Sequence, residues 1–297
     1  MRVFLTGATG FIGSAIVPEL IGAGHTVLGL TRSDAGAESL LRAGAEVHRG
    51  DLDDIDSLRA GAAACDAVIH TAFNHDFSRF QESCEQDRPV IEAMGAALEG
   101  SARPLIVTSG IFTPMIEPGR VVTEEMPPAS SKVMARAASE EAAAAVAARG
   151  GNAMVVRLPQ VHDTNKQGLI TYAIHTAREK GASAYIGDGH HRWAAVSLPA
   201  AARLYRLALE KGRPGARYHA IAEEGVPMRE IAETVGRGLR VPVVSLSPEE
   251  AAAHFGWMAF FAGIDAPASS VITQRELDWT PEGPTLLEDL ENMRYSD

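Results

Sequence analysis

The stretch Thr6-Gly7-Ala8-Thr9-Gly10-Phe11-Ile12-Gly13 decides the fold, because it joins a predicted strand at Val3–Leu5 to a predicted helix. Its glycines have the spacing G-x-x-G-x-x-G, which differs from the G-x-G-x-x-G dinucleotide fingerprint but meets the same physical needs. Gly7 permits a tight turn, Gly10 lets the backbone approach a pyrophosphate, and Gly13 lets the helix pack on the strand. The start of the helix then offers N–H groups to phosphates. The residues predicted to bind a dinucleotide here are Gly7, Thr9, Gly10, Phe11, Ile12 and Gly13.

The first half of the chain alternates between strand and helix patterns. Strands are predicted at Val3–Leu5, Thr26–Leu30, Ala45–His48, Ala67–His70, Leu105–Ser109 and Ala153–Arg157, with helices between them that include Lys132–Ala148. This alternation predicts a doubly wound α/β fold, a parallel sheet with helices on both faces. The pattern loosens after Pro159. We therefore expect a dinucleotide-binding domain over residues 1–160 and a small mixed, substrate-binding lobe over residues 161–297. Whether some elements of this lobe return to the first sheet is left open by the pattern.

Composition limits the classes of partner. The 297 residues carry 27 Lys and Arg against 38 Asp and Glu, a formal charge of -11, so nucleic acid and anionic membranes are poor partners. Two cysteines are too few for a disulfide framework, and no ligand set for a metal is evident. The chain opens MRVFLTG without an apolar leader and has no apolar run of about 18 residues, so a cytoplasmic protein is expected.

Several motifs resemble those of one family. Beside TGATGFIG, these are Asp51-Leu52, the stretch Ala67-Val68-Ile69-His70-Thr71-Ala72, and Val107-Thr108-Ser109-Gly110. Together they resemble the short-chain dehydrogenase/reductase superfamily, in its extended or atypical branch of NAD-dependent epimerase/dehydratase-like proteins. The resemblance implies that Asp51 and Leu52 border the adenine, and that Thr71, Ala72 and Phe73 line the phosphate and ribose of the cofactor. It also implies that Ser109 is the catalytic hydroxyl, that the substrate is a small molecule, and that a homodimer is one assembly to expect.

The end of the second predicted strand bears on the choice of cofactor. An NAD-binding protein is expected to place an acidic residue there for the ribose diol. This chain has Thr31 followed by Arg32, and an arginine can bind a 2′-phosphate that a carboxylate would repel. The sequence therefore favours NADP over NAD, unless Arg32 is simply a solvated surface charge.

The family pattern departs most at its catalytic pair, a Tyr followed four residues later by a Lys. Aligned on Glu140, Lys132 replaces the Tyr and Arg136 replaces the Lys. Three interpretations remain open. Lys132 donates the proton while Arg136 holds the nicotinamide ribose; or the chain binds cofactor without catalysis, as nitrogen-regulator-like relatives do; or both residues are solvated charges on an exposed helix.

Other residues near the predicted strand ends are weaker candidates. His75 follows the fourth strand and is a candidate proton donor, and His162 is a candidate for the same cleft. The proline-containing loop 111–129 is a candidate lid. The leading prediction is an NADP(H)-dependent oxidoreductase acting on a small carbonyl or alcohol. The alternatives are a catalytically silent dinucleotide-binding regulator and an epimerase or dehydratase.

Overall fold

The computed structural model describes residues 1–112 and 119–295. Its strands are β1 Arg2–Thr6, β2 Thr26–Thr31, β3 Glu46–Arg49, β4 Ala67–His70, β5 Pro104–Gly110, β6 Asn152–Leu158, β7 Gln160–His162, β8 Ser183–Ile186, β9 Arg192–Ser197, β10 Arg217–His219, β11 Glu223–Pro227 and β12 Val243–Leu246. Its α-helices are α1 Gly13–Gly22, α2 Asp34–Arg42, α3 Ile55–Ala63, α4 Phe80–Ala97, α5 Ala138–Ala148, α6 Ile170–Lys180, α7 Leu198–Lys211, α8 Met228–Leu239, α9 Pro248–Phe255, α10 Ala259–Ala262, α11 Val271–Leu277 and α12 Leu286–Asn292. Short 3₁₀ segments cover Phe77–Arg79, Ala135–Ala137 and Gly256–Met258.

A seven-stranded parallel sheet organises the described residues, in the order β10-β6-β5-β4-β1-β2-β3. The predicted doubly wound α/β fold is therefore confirmed. The chain runs from β1 through β2 to β3 in one direction, then returns to β4 on the other side of β1. This reversal leaves a crevice at the carboxyl ends of β1 and β4, the place where such sheets bind their ligands.

Apolar side chains on both faces of the sheet explain why helices cover both. Leu5 of β1 belongs to the core that includes Ile16 of α1 and Leu204 of α7. Phe4, one residue earlier, points the opposite way into the core with Leu58 of α3 and Ile91 of α4. Successive residues of a strand alternate between faces, so a fully apolar strand needs a partner layer on each side.

The later part of the chain forms a small mixed lobe but also completes the main sheet. In the described part, β7, β9 and β11 form one sheet with parallel and antiparallel pairs, and β8 pairs with β12. β10 returns to the main sheet beside β6, with Tyr218 opposite Val156. Along residues 1–112 and 119–295, no helix combines the length and apolarity needed to cross a bilayer.

The helix predicted over Lys132–Ala148 is wrong at its start. Turns occupy the residues from Ser131, a 3₁₀ segment covers Ala135–Ala137, and α5 begins only at Ala138. The carboxylate of Glu141 accepts hydrogen bonds from the backbone N–H and the hydroxyl of Ser131, at 2.8 and 2.9 Å. This contact holds the segment as turns folded back on α5. Residues 113–118 of the predicted lid lie outside the described residues.

Candidate active site

A cleft of about 850 Å³ runs along the carboxyl edge of the main sheet. It begins beside Arg32 and Asp51, passes the glycine loop after β1, and ends beyond Ser109 and Arg136. Apart from Lys132, every residue predicted to bind cofactor or to act in catalysis lines it. Its volume falls within the range typical of small-molecule sites.

The glycine loop has the close packing that its sequence predicts. Gly7 has a φ of +69°, and a Cβ there would lie 2.7 Å from the backbone nitrogen of Ala72. A Cβ on Gly13 would lie 2.1 Å from the carbonyl oxygen of Gly7, so only glycine lets α1 approach β1 this closely. No side chain caps the start of α1. Its first N–H groups therefore suit the pyrophosphate of a dinucleotide.

The opposite end of the cleft from Ser109 is where an adenosine group would lie. Thr31 is buried at the end of β2, and Arg32 follows it into solvent with its side chain 80% exposed. One guanidinium nitrogen of Arg32 lies 3.6 Å from a carboxylate oxygen of Asp51. Leu52, which also lines the cleft, provides an apolar contact next to this pair.

Arg136 is held in the cleft by a network of buried polar groups. Its guanidinium donates to Asp87 at 2.8 Å, to the carbonyl oxygen of Thr108 at 2.9 Å, and to the hydroxyl of Ser139. The guanidinium carbon also lies 4.2 Å from the ring centroid of Phe73. Three hydrogen bonds and a cation–π contact fix this charge in one orientation.

The network continues beneath the glycine loop. His70, at the end of β4, contacts Asp87 at 2.8 Å through Nε2 and Thr6 at 2.7 Å through Nδ1. Burial alone would raise the pKa of Asp87, but His70 and Arg136, with the hydrogen bonds from His70 and Ser139, hold it well below its usual range. Asp87 is therefore an ionised carboxylate between two basic side chains. Sequence reasoning missed Asp87; the available signal was an acidic residue on the buried face of α4.

Ser109 lies near the end of β5, is buried, and lines the cleft. The hydroxyl of the preceding residue, Thr108, donates to the carbonyl oxygen of His70 and therefore accepts the 2.6 Å hydrogen bond from the phenol of Tyr205. Burial raises the pKa of that phenol, which lies in the core between the sheet and α7 and does not line the cleft. Of the tyrosines in the described residues, Tyr172 alone lines the cleft.

Lys132 is solvent-exposed and is not among the residues that line the cleft. The expected helical face shared with Arg136 does not exist, because Lys132 lies in the turn that precedes α5. This placement removes the geometric basis for Lys132 as the proton donor. Arg136, in contrast, occupies the cleft as its alignment with the family's lysine predicts.

The two candidate histidines lie in different places. His75 lines the cleft, with its ring centroid 5.2 Å from that of Phe73. Desolvation of the imidazole in the cleft and the nearby Arg136 cation lower the pKa of His75. His162 does not face the cleft, so that expectation is wrong: it is fully buried, with Nδ1 2.7 Å from a carboxylate oxygen of Asp289 in α12.

Comparison with known proteins identifies the class. The family model for the NAD-dependent epimerase/dehydratase family matches residues 3–221. An uncharacterized protein of Schizosaccharomyces pombe is 45% identical over 296 residues, which covers 99% of this chain and 100% of that protein. An uncharacterized protein of Saccharomyces cerevisiae is 41% identical over 293 residues and covers 98% of each. The chain belongs to the NAD-dependent epimerase/dehydratase family.

Solved structures agree on the fold. A dTDP-glucose 4,6-dehydratase from Streptomyces venezuelae, solved with NAD bound, superimposes with a TM-score of 0.77 at 19% identity, covering 98% of this chain and 96% of that one. At this identity the similarity establishes the fold. The family and fold together make this an NAD(P)-binding protein of the extended short-chain dehydrogenase/reductase type.

Proposed function

We propose that the protein is an NADP(H)-dependent oxidoreductase that interconverts a carbonyl compound and an alcohol. One observation carries the proposal: the cleft that contains the glycine loop also contains a fixed cation, Arg136, and a buried hydroxyl, Ser109, at its other end. Arg136 serves cofactor binding, whereas a buried hydroxyl at the same end of the cleft is suited to hydrogen-bond a substrate oxygen, which a protein that only stored a dinucleotide would not need. When bound, the nicotinamide supplies or accepts a hydride at the substrate carbon.

Each side chain has a role that follows from its position. Arg136 binds the hydroxyls of the nicotinamide ribose, and Thr71, Ala72 and Phe73 pack along the adjoining phosphate and ribose. Ser109 donates a hydrogen bond to the substrate oxygen. His75 donates the proton to that oxygen, because it is the imidazole that lines the cleft beside Arg136 and Phe73. General acid catalysis of this kind contributes about 10²- to 10⁴-fold to the rate.

The preference for NADP rests on Arg32. Its guanidinium is exposed at the cleft. Among the described residues its one close partner is Asp51, whose carboxylate oxygen lies 3.6 Å away, beyond hydrogen-bond distance. A 2′-phosphate would gain a charge-assisted hydrogen bond there. We expect NADPH to bind at least tenfold more tightly than NADH, and Arg32→Ala to remove the difference. Arg59→Ala, which removes an equally charged surface residue elsewhere, is the control; equal affinities in the unmutated protein contradict the preference.

The test of activity is oxidation of NADPH with a panel of aldehydes and ketones. We expect turnover that falls about 100-fold or more in His75→Gln, with the NADPH dissociation constant unchanged. His190→Gln is the matched control, since His190 is exposed and outside the cleft. Because the imidazolium is the acid, kcat for reduction should decline as pH rises through the pKa of His75, which lies below its ordinary value.

One observation favours a second candidate, a regulator that senses NADP(H) without catalysis. Among the described residues no phenol lies at the position of the family's catalytic tyrosine, where this chain has the exposed Lys132. A regulator would bind NADPH tightly, turn over no carbonyl compound, and lose nothing in His75→Gln.

A further inference from the structure

Seven aromatic residues from four separate segments meet at the end of the cleft beyond Arg136. This aromatic wall consists of Phe73, Phe77, Phe80, Phe112, Tyr172, Trp257 and Phe261. Phe77 is at its centre, stacked on Trp257 with ring centroids 4.1 Å apart and an interplanar angle of 5°. Tyr172 meets both rings edge-on, at 5.5 and 5.1 Å.

The wall is part of the cleft. Six of its members line the cavity, and the seventh, Trp257, stacks against the ring of Phe77. Phe73 connects the wall to the reacting end, because its ring contacts the guanidinium of Arg136 on one side and lies 6.2 Å from Phe80 on the other. A ligand that reaches Ser109 therefore extends along aromatic surface.

The two arginines near the wall are already paired with carboxylates. Arg79 donates to Glu82 at 2.7 Å through Nε. Besides Arg32 at the other end, the described residues that line the cleft include three Lys or Arg side chains, Arg79, Arg136 and Lys166. Arg136 is held by Asp87, and the ammonium of Lys166 lies 5.4 Å from the ring centroid of Phe11, at the glycine loop. A sugar nucleotide carries two phosphate charges that need cations, and the wall offers none of its own.

We propose that the aromatic wall binds an uncharged aromatic or conjugated carbonyl compound, with its ring against Phe77 and Tyr172 and its carbonyl oxygen toward Ser109. This inference rests on the proposed oxidoreductase function and names its substrate class. Aromatic pairs in offset or edge-to-face geometry gain about 0.5–1.5 kcal/mol beyond the burial of apolar area. The same surface would leave a charged ligand desolvated without a partner.

The experiment compares cinnamaldehyde with propanal in the NADPH oxidation assay. Phe77→Leu and Tyr172→Leu should each lower kcat/KM for cinnamaldehyde at least tenfold and change that for propanal less than threefold. Phe260→Leu is the matched control, because Phe260 is 52% exposed and does not line the cleft. A second measurement is calorimetric binding of cinnamyl alcohol, a dead-end ligand, to the NADPH-loaded protein.

The outcomes separate the two proposals. If both aldehydes turn over and the wall variants affect them equally, or if the protein converts UDP-glucose to UDP-galactose, the aromatic substrate class is wrong. If neither aldehyde turns over, the oxidoreductase proposal fails, and the calorimetric experiment alone tests whether the aromatic wall binds an aromatic ligand. Binding of cinnamyl alcohol that Phe77→Leu weakens and Phe260→Leu does not then supports the aromatic site, and no binding overturns it.

Discussion

Two buried histidine–aspartate pairs, one between β4 and α4 and the other between β7 and α12, differ in what surrounds them. His70 and Asp87 join a third group, Arg136, whose cation offsets the carboxylate and reaches the cleft. His162 and Asp289 instead have a second carboxylate nearby, with Nε2 of His162 3.9 Å from Glu223. The same pair of residue types thus positions a site residue in one place and joins lobe elements in the other.

The difference shows that the residue types of a buried histidine–aspartate pair do not determine its role, because the neighbouring charges differ. Desolvation of Asp87 is overcome by His70 and Arg136, which lower its pKa. Desolvation of Glu223 is not overcome: burial raises its pKa, with the nearby carboxylates Glu288 and Asp289 adding to the effect, against the hydrogen bond from Leu286 and the proximity of His162. The two regions should therefore respond in opposite directions to acid.

The largest expected effect comes from removing the carboxylate between His70 and Arg136. Asp87→Ala leaves Arg136 without its buried anion, which typically costs about 3–5 kcal/mol of unfolding free energy. Asp289→Ala, the matched change in the other pair, removes a hydrogen bond to a buried histidine and should cost about 1–3 kcal/mol. Urea denaturation of the two variants measures both values, and an equal loss would remove the distinction between the pairs.

The second effect concerns binding of the cofactor. Arg136→Met should weaken NADPH binding at least tenfold, about 1.4 kcal/mol or more, because it removes the fixed cation that we propose binds the nicotinamide ribose. Asp289→Ala should leave NADPH affinity unchanged, since His162 and Asp289 do not line the cleft. Titration of each folded variant with NADPH measures the affinities. Weakening by Asp289→Ala would mean that the second pair also supports the cofactor site.

These two regions also show how far the sequence leads. The loop from Gly7 to Gly13 was predictable because its turn, the close approach of Gly13 to Gly7 and its helix start are local. Arg136 was predictable from its spacing to Glu140. Asp87 was not, because its partners His70 and Arg136 lie 17 and 49 positions away in the chain.

The remaining errors have the same physical origin. The helix was predicted to begin at Lys132 because nothing in the local pattern reveals that Ser131 bonds to Glu141. The mixed lobe was expected, but its strand pairs, such as Val243 with Ser183, join residues far apart in the chain. His162 follows a strand end that suggested the cleft, yet α12, more than a hundred residues later, supplies its partner.

A smaller effect is the acid response of the first pair. The folded pKa of Asp87 lies below its unfolded value of about 3.9, so its stabilising contribution is complete above that value and is lost as pH falls through the folded pKa. The difference in unfolding free energy between the unmutated protein and Asp87→Asn should be constant from neutral pH to about pH 5 and shrink below about pH 4. A difference that stays constant to the lowest pH at which both proteins fold would contradict the ionised assignment.

The smallest effect is expected at Glu223, and its sign is opposite. Because burial raises the folded pKa of Glu223, the folded protein holds this proton more tightly, and unfolding free energy gains a contribution as pH falls through that pKa. Glu223→Gln removes the contribution while its side-chain oxygen can still accept the 2.7 Å hydrogen bond from the Leu286 N–H. At neutral pH the variant should be as stable as the unmutated protein or more stable, by less than about 1 kcal/mol. Denaturation at neutral and mildly acidic pH measures this, and a variant that is less stable at neutral pH would show that the Glu223 charge supports His162 instead of opposing Asp289.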